Sequence, residues 1–244
     1  MSSDGPDFYD DAAVFATYMA HRERPSNPND TIEAPIVDEL LGDVRGARVL
    51  DLGCGAAAFG RQLMERGAAA YTGVEASAKM AAAARDALAG TGAVVEKRIE
   101  DFAYPAAAFD IVVSRLALHY VRDVGPIFSA VSRSLLAGGR FVFSVEHPVI
   151  TSCSRGWIAG TQRQDWIVDD YFRTGAREVD WLGGRVTKLH RTIEEYYASI
   201  KAAGFVVDDL REGRPVRAAF ADEDTFRRRC RIPLFLVMLA RKPT

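Results

Sequence analysis

Short apolar runs alternate with longer amphipathic stretches from residue 47 onward. Segments such as 59–67 and 78–90 have the spacing of helices and separate the first of these runs. Near-continuous apolar strands joined by helices are typical of a parallel sheet that is covered on both faces. We therefore predict an α/β fold with a doubly wound, mostly parallel, seven-stranded sheet, whose strands lie at 48–53, 71–75, 93–99, 109–115, 140–146, 205–210 and 234–241.

Two regions depart from this alternation. Residues 1–45 predict helices that are interrupted by the breaker-rich stretch 25–30. Residues 147–190 form an insertion after the fifth strand, with a hairpin pattern near its end. Because a long insertion between regular elements is usually a lid or a binding loop, we predict a single domain over 1–244, with 1–45 as a helical cap and 147–190 as a lid that binds substrate.

Composition and charge narrow the classes of partner. The 244 residues carry 31 basic and 33 acidic side chains, so no broad field attracts a nucleic acid or an anionic membrane. The three cysteines (Cys54, Cys153 and Cys230) have no CxxC spacing, and the acidic first residues are unlike a signal peptide. We expect a cytoplasmic protein, and the excess of arginine over lysine is typical of a GC-rich bacterium.

The first predicted strand leads into a glycine-rich turn. Asp51 is followed by Gly53 and Gly55 and then by a helix, so the backbone can approach a ligand at a helix N-terminus. A dinucleotide site is the first alternative, but the third glycine of GxGxxG would fall on Ala58, and Asp51 would repel a pyrophosphate. A carboxylate here suits a ligand that carries an ammonium group.

Acidic residues also end the second and third predicted strands. Glu75 lies twenty residues after Gly55, where its carboxylate could accept hydrogen bonds from both hydroxyls of a ribose. Glu100, Asp101 and Phe102 end the third strand, and Asp101 could accept a bond from an adenine amino group with Phe102 beside the base. The three strand ends together predict a nucleoside site.

These residues, with the run 109–121, resemble the class I S-adenosylmethionine-dependent methyltransferases of the small-molecule type. The resemblance implies S-adenosylmethionine as the cofactor, its methionine end at Asp51, Gly53 and Gly55, and its ribose at Glu75. It also implies that Tyr9 and Tyr18 of the N-terminal helices cover the cofactor, although helix packing would equally explain both tyrosines. The cofactor contacts implied in full are Tyr18, Asp51, Gly53, Gly55, Glu75, Ala76, Met80, Glu100, Asp101, Phe102, Arg115 and Leu116.

Methyl transfer requires in-line alignment of the acceptor, and a general base only where the acceptor is protonated. The candidate catalytic residues are His119, Glu146 and His147. Aromatic residues of the insertion predict a partly apolar pocket, although they could equally form the insertion's own core. The candidate substrate residues are Tyr9, His119, Trp166, Tyr171 and His190.

The residues after the fourth strand narrow the classes of molecule that could accept the methyl group. They read Ser114-Arg115-Leu116-Ala117, unlike the Asn/Asp-Pro-Pro-Tyr string associated with methylation of exocyclic amines in nucleic acids. The carboxylates of magnesium-dependent catechol methyltransferases are also absent, so we predict no metal. We expect a small-molecule nitrogen or oxygen acceptor and a monomer or homodimer. The alternatives are an RNA or protein methyltransferase, with Arg155, Arg163, Arg173 and Arg177 as its basic groove, and a cofactor-binding protein without methyl transfer.

Overall fold

One seven-stranded sheet forms the centre of the molecule. The computed structural model describes residues 5–22, 24, 27–158 and 165–244. Its strands are β1 (Arg48–Leu52), β2 (Ala70–Glu75), β3 (Ala93–Glu96), β4 (Phe109–Arg115), β5 (Leu135–Glu146), β6 (Gly175–Trp181), β7 (Gly184–His190), β8 (Val206–Glu212) and β9 (Phe235–Arg241). Its α-helices are α1 (Gly5–Asp10), α2 (Ala12–Arg22), α3 (Ala34–Leu41), α4 (Ala58–Glu65), α5 (Ala78–Leu88), α6 (Val124–Ser134), α7 (Pro148–Thr151), α8 (Ile193–Ala202) and α9 (Glu223–Arg229).

The strands follow the order β3-β2-β1-β4-β5-β9-β8. The first five pair in parallel, while β9 runs antiparallel to both β5 and β8. This arrangement confirms the predicted α/β fold with its mostly parallel seven-stranded sheet. Two boundaries differ from prediction. β3 ends at Glu96 because residues 99–101 form a 3₁₀ turn. β5 begins earlier, at Leu135, and its pairing with β4 shifts register between Phe109 and Ile111.

Alternating side chains of the central strands bury both faces of the sheet. Leu50, Leu52 and Phe141 point to the side that α6 and α8 cover, while Val49 and Val142 point to the side that α3, α4 and α5 cover. Strands buried on both faces require the near-continuous apolar sequence seen at 48–52 and 109–115. Their polar residues are therefore confined to the ends, where the functional side chains lie.

The strands β6 and β7 form a separate antiparallel hairpin. Its two-residue turn contains Leu182 and Gly183, both with positive φ as type I′ hairpin turns require. The hairpin packs against α1, where the ring of Phe8 lies so close to Gly184 that a Cβ there would be 2.8 Å from a ring carbon. The N-terminal helices and the hairpin of the insertion thus share one apolar cluster, which includes Val186.

A buried ion pair joins the N-terminal segment to the sheet. Glu33 ends a π-helical turn that leads into α3, and its side chain is 0% exposed. Its carboxylate accepts hydrogen bonds from the guanidinium of Arg115, at 3.1 Å from Nε, and from the Ser144 hydroxyl at 2.5 Å. The guanidinium also lies 4.4 Å from the ring centroid of Phe59. These contacts fix the chain before α3 to the ends of β4 and β5.

Among the described helices, none is both long and apolar enough to cross a membrane.

Removal of the Glu33 carboxylate should destabilise the fold strongly. We expect Glu33→Ala to lower the free energy of unfolding by about 3–5 kcal/mol, because Arg115 would remain charged and buried without its partner. Urea denaturation measures the change. Asp43→Ala is the matched control, since Asp43 pairs with Arg45 in solvent, and it should leave the free energy close to the wild-type value. Equal small effects of the two substitutions would contradict the role of the buried pair.

Candidate functional site

A cavity of about 300 Å³ lies at the carboxyl ends of the parallel strands. In an open α/β sheet this edge is where ligands bind. Side chains and backbone from four strand ends, α1, α2 and the β6–β7 hairpin surround it. The predicted site residues that border it are Tyr9, Tyr18, Asp51, Gly53, Gly55, Glu75, Ala76, Met80, Glu100, Arg115, Leu116, His119 and Glu146.

The turn after β1 is held against the neighbouring strand ends. The backbone N–H groups of Gly53 and Cys54 both donate to the carbonyl oxygen of Val74, at 2.8 and 3.1 Å. Gly53 has φ +78°, and a Cβ at this position would lie 2.3 Å from Cβ of Ala117. Only glycine therefore fits, because both the backbone conformation and the contact with the chain after β4 exclude a side chain.

Asp51 is buried at the start of this turn and is only half satisfied. Its Oδ2 accepts a hydrogen bond from the Tyr71 hydroxyl at 2.8 Å, whereas Oδ1 is buried and has no partner within the described chain. Burial raises the pKa of Asp51 to about 6, against the opposing effects of Tyr71 and the Arg115 guanidinium. A buried carboxylate oxygen without a partner is costly, so the site favours a ligand that supplies a donor with positive charge.

Glu75 ends β2 with both carboxylate oxygens directed by the backbone. Oε2 accepts the N–H of Gly55 at 2.8 Å and Oε1 accepts the N–H of Ser77 at 2.9 Å. Burial raises the pKa of Glu75, although these backbone bonds oppose the shift. Because each carboxylate oxygen can accept more than one hydrogen bond, the side chain retains the capacity to bind two neighbouring hydroxyls.

The N-terminal helices are fixed over the cavity by polar contacts. Oδ1 of Asp10, the last residue of α1, accepts the Ser77 hydroxyl at 2.6 Å and the N–H of Lys79 at 3.2 Å. Ser77 itself caps α5. The hydroxyls of Tyr9 and Tyr120 lie 3.3 Å apart.

The other end of the cavity holds an ion pair and a neutral histidine. Nζ of Lys188 donates to Oε1 of Glu146 at 2.5 Å, and the ammonium lies 5.0 Å from the ring centroid of Trp181. Although burial opposes it, the charge of Lys188 lowers the pKa of Glu146 and keeps the carboxylate ionised. Burial lowers the pKa of His119 to about 4, so the imidazole is neutral at neutral pH.

Lys188 and Glu33 also border the cavity, and the sequence pattern does not indicate them. Trp181, one of the aromatic residues of the insertion that predict an apolar pocket, borders it as well. Lys188 follows Val186 and precedes His190 on the inward face of β7, since all three are buried. The sequence feature that indicates Lys188 is its position on the buried face of β7, where a lysine is unusual. Glu33 had no such signal, because its partner Arg115 lies 82 residues away.

Asp101 and Phe102 lie outside the cavity. Because β3 ends early, residues 99–101 turn away as a 3₁₀ segment and present Glu100 to the cavity in place of Asp101, which is exposed. Phe102 packs edge-on against Tyr104, with ring centroids 4.9 Å apart, beside the core. The predicted contacts of both residues with an adenine thus lack geometric support.

His147 and His190 also lie outside the cavity, and each has structural partners. Nδ1 of His147 accepts the N–H of Val149 at the start of α7, and Nε2 lies 2.9 Å from a carboxylate oxygen of Glu212. His190 bonds the Thr151 hydroxyl at 2.8 Å through one ring nitrogen and a backbone carbonyl through the other. Neither ring faces the space where chemistry would occur.

Trp166 and Tyr171 belong to the packing of the insertion. The Trp166 indole donates to the carbonyl oxygen of Val149 at 3.0 Å and packs edge-on against Trp157. The backbone carbonyl of Tyr171 is the group that His190 bonds, at 2.8 Å. These aromatic residues form part of the insertion's own core and do not line the cavity.

Within the described ranges, no group of three or more histidine, cysteine, aspartate or glutamate side chains is placed to hold a metal ion.

Comparison with known proteins decides the family. A family model described as a methyltransferase domain matches residues 50–143. A putative S-adenosylmethionine-dependent methyltransferase from Listeria monocytogenes is 32% identical, with a TM-score of 0.81 over 87% of this chain and 97% of that one. The corresponding protein from Mesorhizobium loti is 36% identical, with a TM-score of 0.79 over 86% and 97%. This chain is a class I S-adenosylmethionine-dependent methyltransferase.

A curated relative of the methyltransferase, an uncharacterised protein of Haemophilus influenzae, is 29% identical over 215 residues, which are 84% of this chain and 85% of its own.

The methyltransferase has groups that fit the cofactor. The unpartnered Oδ1 of Asp51 can accept the ammonium of the methionine portion, and the carboxylate of Glu75 can accept two ribose hydroxyls. The glycine turn leaves room for the backbone to approach, because a Cβ at Gly55 would meet nothing within 4 Å. Met80 supplies an apolar surface beside these groups.

Asp51→Asn should weaken binding of S-adenosylhomocysteine by at least about tenfold, because the amide keeps the shape but loses the charge that pairs with the ammonium. Binding of methylthioadenosine, which lacks the amino-acid tail, should stay near the wild-type affinity. Isothermal titration measures both. Glu75→Gln is the control and should weaken both ligands, since both carry the ribose. An equal loss of both ligands in Asp51→Asn would contradict the placement of the ammonium.

Affinity for S-adenosylhomocysteine should fall as the pH drops through about 6, the pKa to which burial raises Asp51. The ionised carboxylate is the form that binds, so affinity is full above this pKa and decreases by up to about tenfold per pH unit below it. Titrations with methylthioadenosine correct for Glu75. The charged groups that influence the pKa of Asp51 are Arg115, Glu75 and Glu33. A pH profile that Asp51→Asn leaves unchanged would show that another group titrates.

Proposed function

We propose that this enzyme transfers the methyl group of S-adenosylmethionine to a nitrogen or oxygen atom of a small molecule. The aromatic lining at one end of the cavity carries the proposal. Tyr9 from α1, Tyr120 from the turn after β4, and Trp181 from the hairpin converge on the end that holds His119. A concave end that is lined by aromatic side chains from three separate segments suits a small ligand better than a macromolecule.

The proposal assigns the cavity residues by their chemistry. Asp51, Gly53 and Gly55 hold the methionine portion of the cofactor, and Glu75 holds its ribose. The remaining cofactor contacts that border the cavity are Tyr18, Ala76, Met80, Glu100, Arg115 and Leu116. The segments 1–45 and 147–190 act as a cap and a lid, and this is supported by the contacts of α1 and the hairpin with each other and with the cavity.

The bound cofactor supplies an electrophilic methyl group on a sulfonium, and the protein supplies alignment and exclusion of water. The half-buried aromatic rings of Tyr9 and Tyr120 border the acceptor end and limit the access of water to it. Of the predicted catalytic residues, His119, which is neutral, and Glu146, which is ionised, lie there and can form hydrogen bonds with the acceptor. Both border the cavity, whereas the third predicted catalytic residue, His147, does not.

A macromolecular acceptor has less support. Of the arginines predicted to form a basic groove, the three that the structure describes have acidic or carbonyl partners, namely Asp169 for Arg155, Asp170 for Arg173 and the Ser152 carbonyl for Arg177. Arg163 lies outside the described residues. Charges that are already paired attract a polyanion weakly, so this surface is a poor groove for RNA.

We extend the proposal to a cytoplasmic, bacterial enzyme. Its support is that Cys54, Cys153 and Cys230 are free thiols in the structure, as a reducing compartment favours.

Label from methyl-tritiated S-adenosylmethionine should enter the small-molecule fraction of a bacterial extract that has been divided by ultrafiltration. We expect Asp51→Asn to reduce the incorporation at least about tenfold in proportion to its cofactor affinity. Asp86→Asn is the matched control, because Asp86 is exposed on α5. Label that appears in the RNA or protein fraction, and not in the small molecules, would replace this proposal with a macromolecular acceptor.

A further inference from the structure

The acceptor end of the cavity presents free hydrogen-bond donors to a ligand, and His119 provides the first. Its Nδ1 accepts the backbone N–H of Glu146 at 3.4 Å. A neutral imidazole that accepts through Nδ1 carries its proton on Nε2. Within the described chain Nε2 has no hydrogen-bond partner, and the residue borders the cavity. In this tautomer His119 is thus a donor toward a ligand and not a base.

Lys188 provides further donors. Its side chain is 6% exposed, and of its three N–H groups one is used by Oε1 of Glu146. Its other contact is with the face of Trp181, which holds the ammonium at the cavity. Two N–H groups therefore remain for a ligand, and they carry positive charge.

The acceptors at this end are the carboxylate of Glu146 and two tyrosine hydroxyls. Oε2 of Glu146 has no hydrogen-bond partner in the described part of the chain, while Oε1 is bound to Lys188. The hydroxyls of Tyr9 and Tyr120 share one hydrogen bond, so one of the two hydrogens stays free as a further donor. Nearby Arg191 adds positive potential, although its guanidinium is occupied by backbone carbonyls such as that of Val121.

We propose that this end binds a planar hydroxyl compound, a phenol or an enol, and that its oxygen receives the methyl group. This inference rests on the proposed function and narrows it to oxygen. Lys188 and Nε2–H of His119 stabilise the oxygen as it becomes an anion, and its proton passes to solvent as the compound binds. The oxygen then forms a bond to the methyl carbon while the carbon–sulfur bond breaks, and the electron pair of that bond stays on sulfur. The aromatic rings of Tyr9, Tyr120 and Trp181 provide the apolar walls.

An amine fits the same groups less well. A protonated amine would be repelled by Lys188 and has no lone pair for transfer. A neutral amine would bring its own N–H donors toward Lys188 and His119, which also donate, and it has only one lone pair with which to accept from them. An oxygen with two lone pairs satisfies both Lys188 and His119 at once.

The test uses enzyme saturated with S-adenosylhomocysteine and two phenols whose anions are detected optically, 4-nitrophenol and 7-hydroxycoumarin. At a pH where both are mostly neutral in solution, we expect the bound phenol to show the spectrum of its anion. 4-Nitroaniline and 4-nitroanisole, which have similar shape but no ionisable hydroxyl, should bind at least about tenfold more weakly.

Lys188→Met and Glu146→Gln should change the binding of the phenol anion in opposite directions. Lys188→Met should abolish the anion signal, and Lys188→Arg should keep it, which separates loss of charge from loss of fold. Glu146→Gln should strengthen binding of the anion, because a competing negative charge is removed from Lys188. Lys201→Met, at an exposed position of α8, is the matched control and should change nothing.

The outcomes distinguish failure of the proposed function from failure of the oxygen-acceptor inference. Failure of the wild-type enzyme to bind S-adenosylhomocysteine would count against the cofactor site and the proposed function. Normal binding of S-adenosylhomocysteine without an anion signal from either phenol would overturn this inference alone. Equal effects of Lys188→Met and Glu146→Gln on anion binding, in variants whose thermal melts remain cooperative, would show that the pair is only structural and would also overturn it.

Discussion

The buried carboxylate of Asp51 is the constraint on which the site depends. It lies near the end of β1, between β2 and β4 in the sheet, where it is buried away from solvent water. Tyr71 satisfies one oxygen and the other remains without a partner. An unpartnered buried carboxylate oxygen destabilises the protein without its ligand, and a bound cation removes this destabilisation. Part of the free energy of binding therefore comes from satisfying Asp51. The glycine turn and Glu75 are arranged around this one side chain.

The covering segments are tied to that arrangement and to each other. Asp10 at the end of α1 binds Ser77, and the backbone N–H of Ser77 binds the carboxylate of Glu75. On the other side, Phe8 packs against Gly184 at the tip of the hairpin that carries Lys188. A displacement of α1 would therefore disturb the Glu75 side and the acceptor side together. Cover and catalytic surface form one packed unit, although their residues lie far apart in the sequence.

The parts of this structure that sequence reasoning predicts are those with local causes. Apolar runs bounded by glycine located the central strands, and Asp51, Gly53 and Gly55 are neighbours whose spacing alone indicates a ligand turn. The rest depends on contacts over long separations. Nothing local links Glu33 to Arg115 or Lys188 to Glu146, and a single early strand end at Glu96 exchanges Glu100 for Asp101 at the cavity. Histidines that follow strands are also ambiguous. His147 follows β5, but its side chain caps α7, which begins at Pro148.

The two ends of the cavity differ in hydrogen-bonding character, and this difference matches the reaction. Asp51 and Glu75 accept at the end assigned to a cationic cofactor, whereas Lys188 and His119 donate at the end assigned to the acceptor. Methyl transfer from a sulfonium to an oxygen anion removes both charges, so an excessively strong cation beside the oxygen would stabilise the reactant more than the transition state. Lys188 avoids this excess, because part of its charge is already balanced by Glu146 at 2.5 Å. The ion pair supplies enough positive potential to favour the anion, and its partner carboxylate keeps that potential below the level at which the oxygen would lose its nucleophilicity.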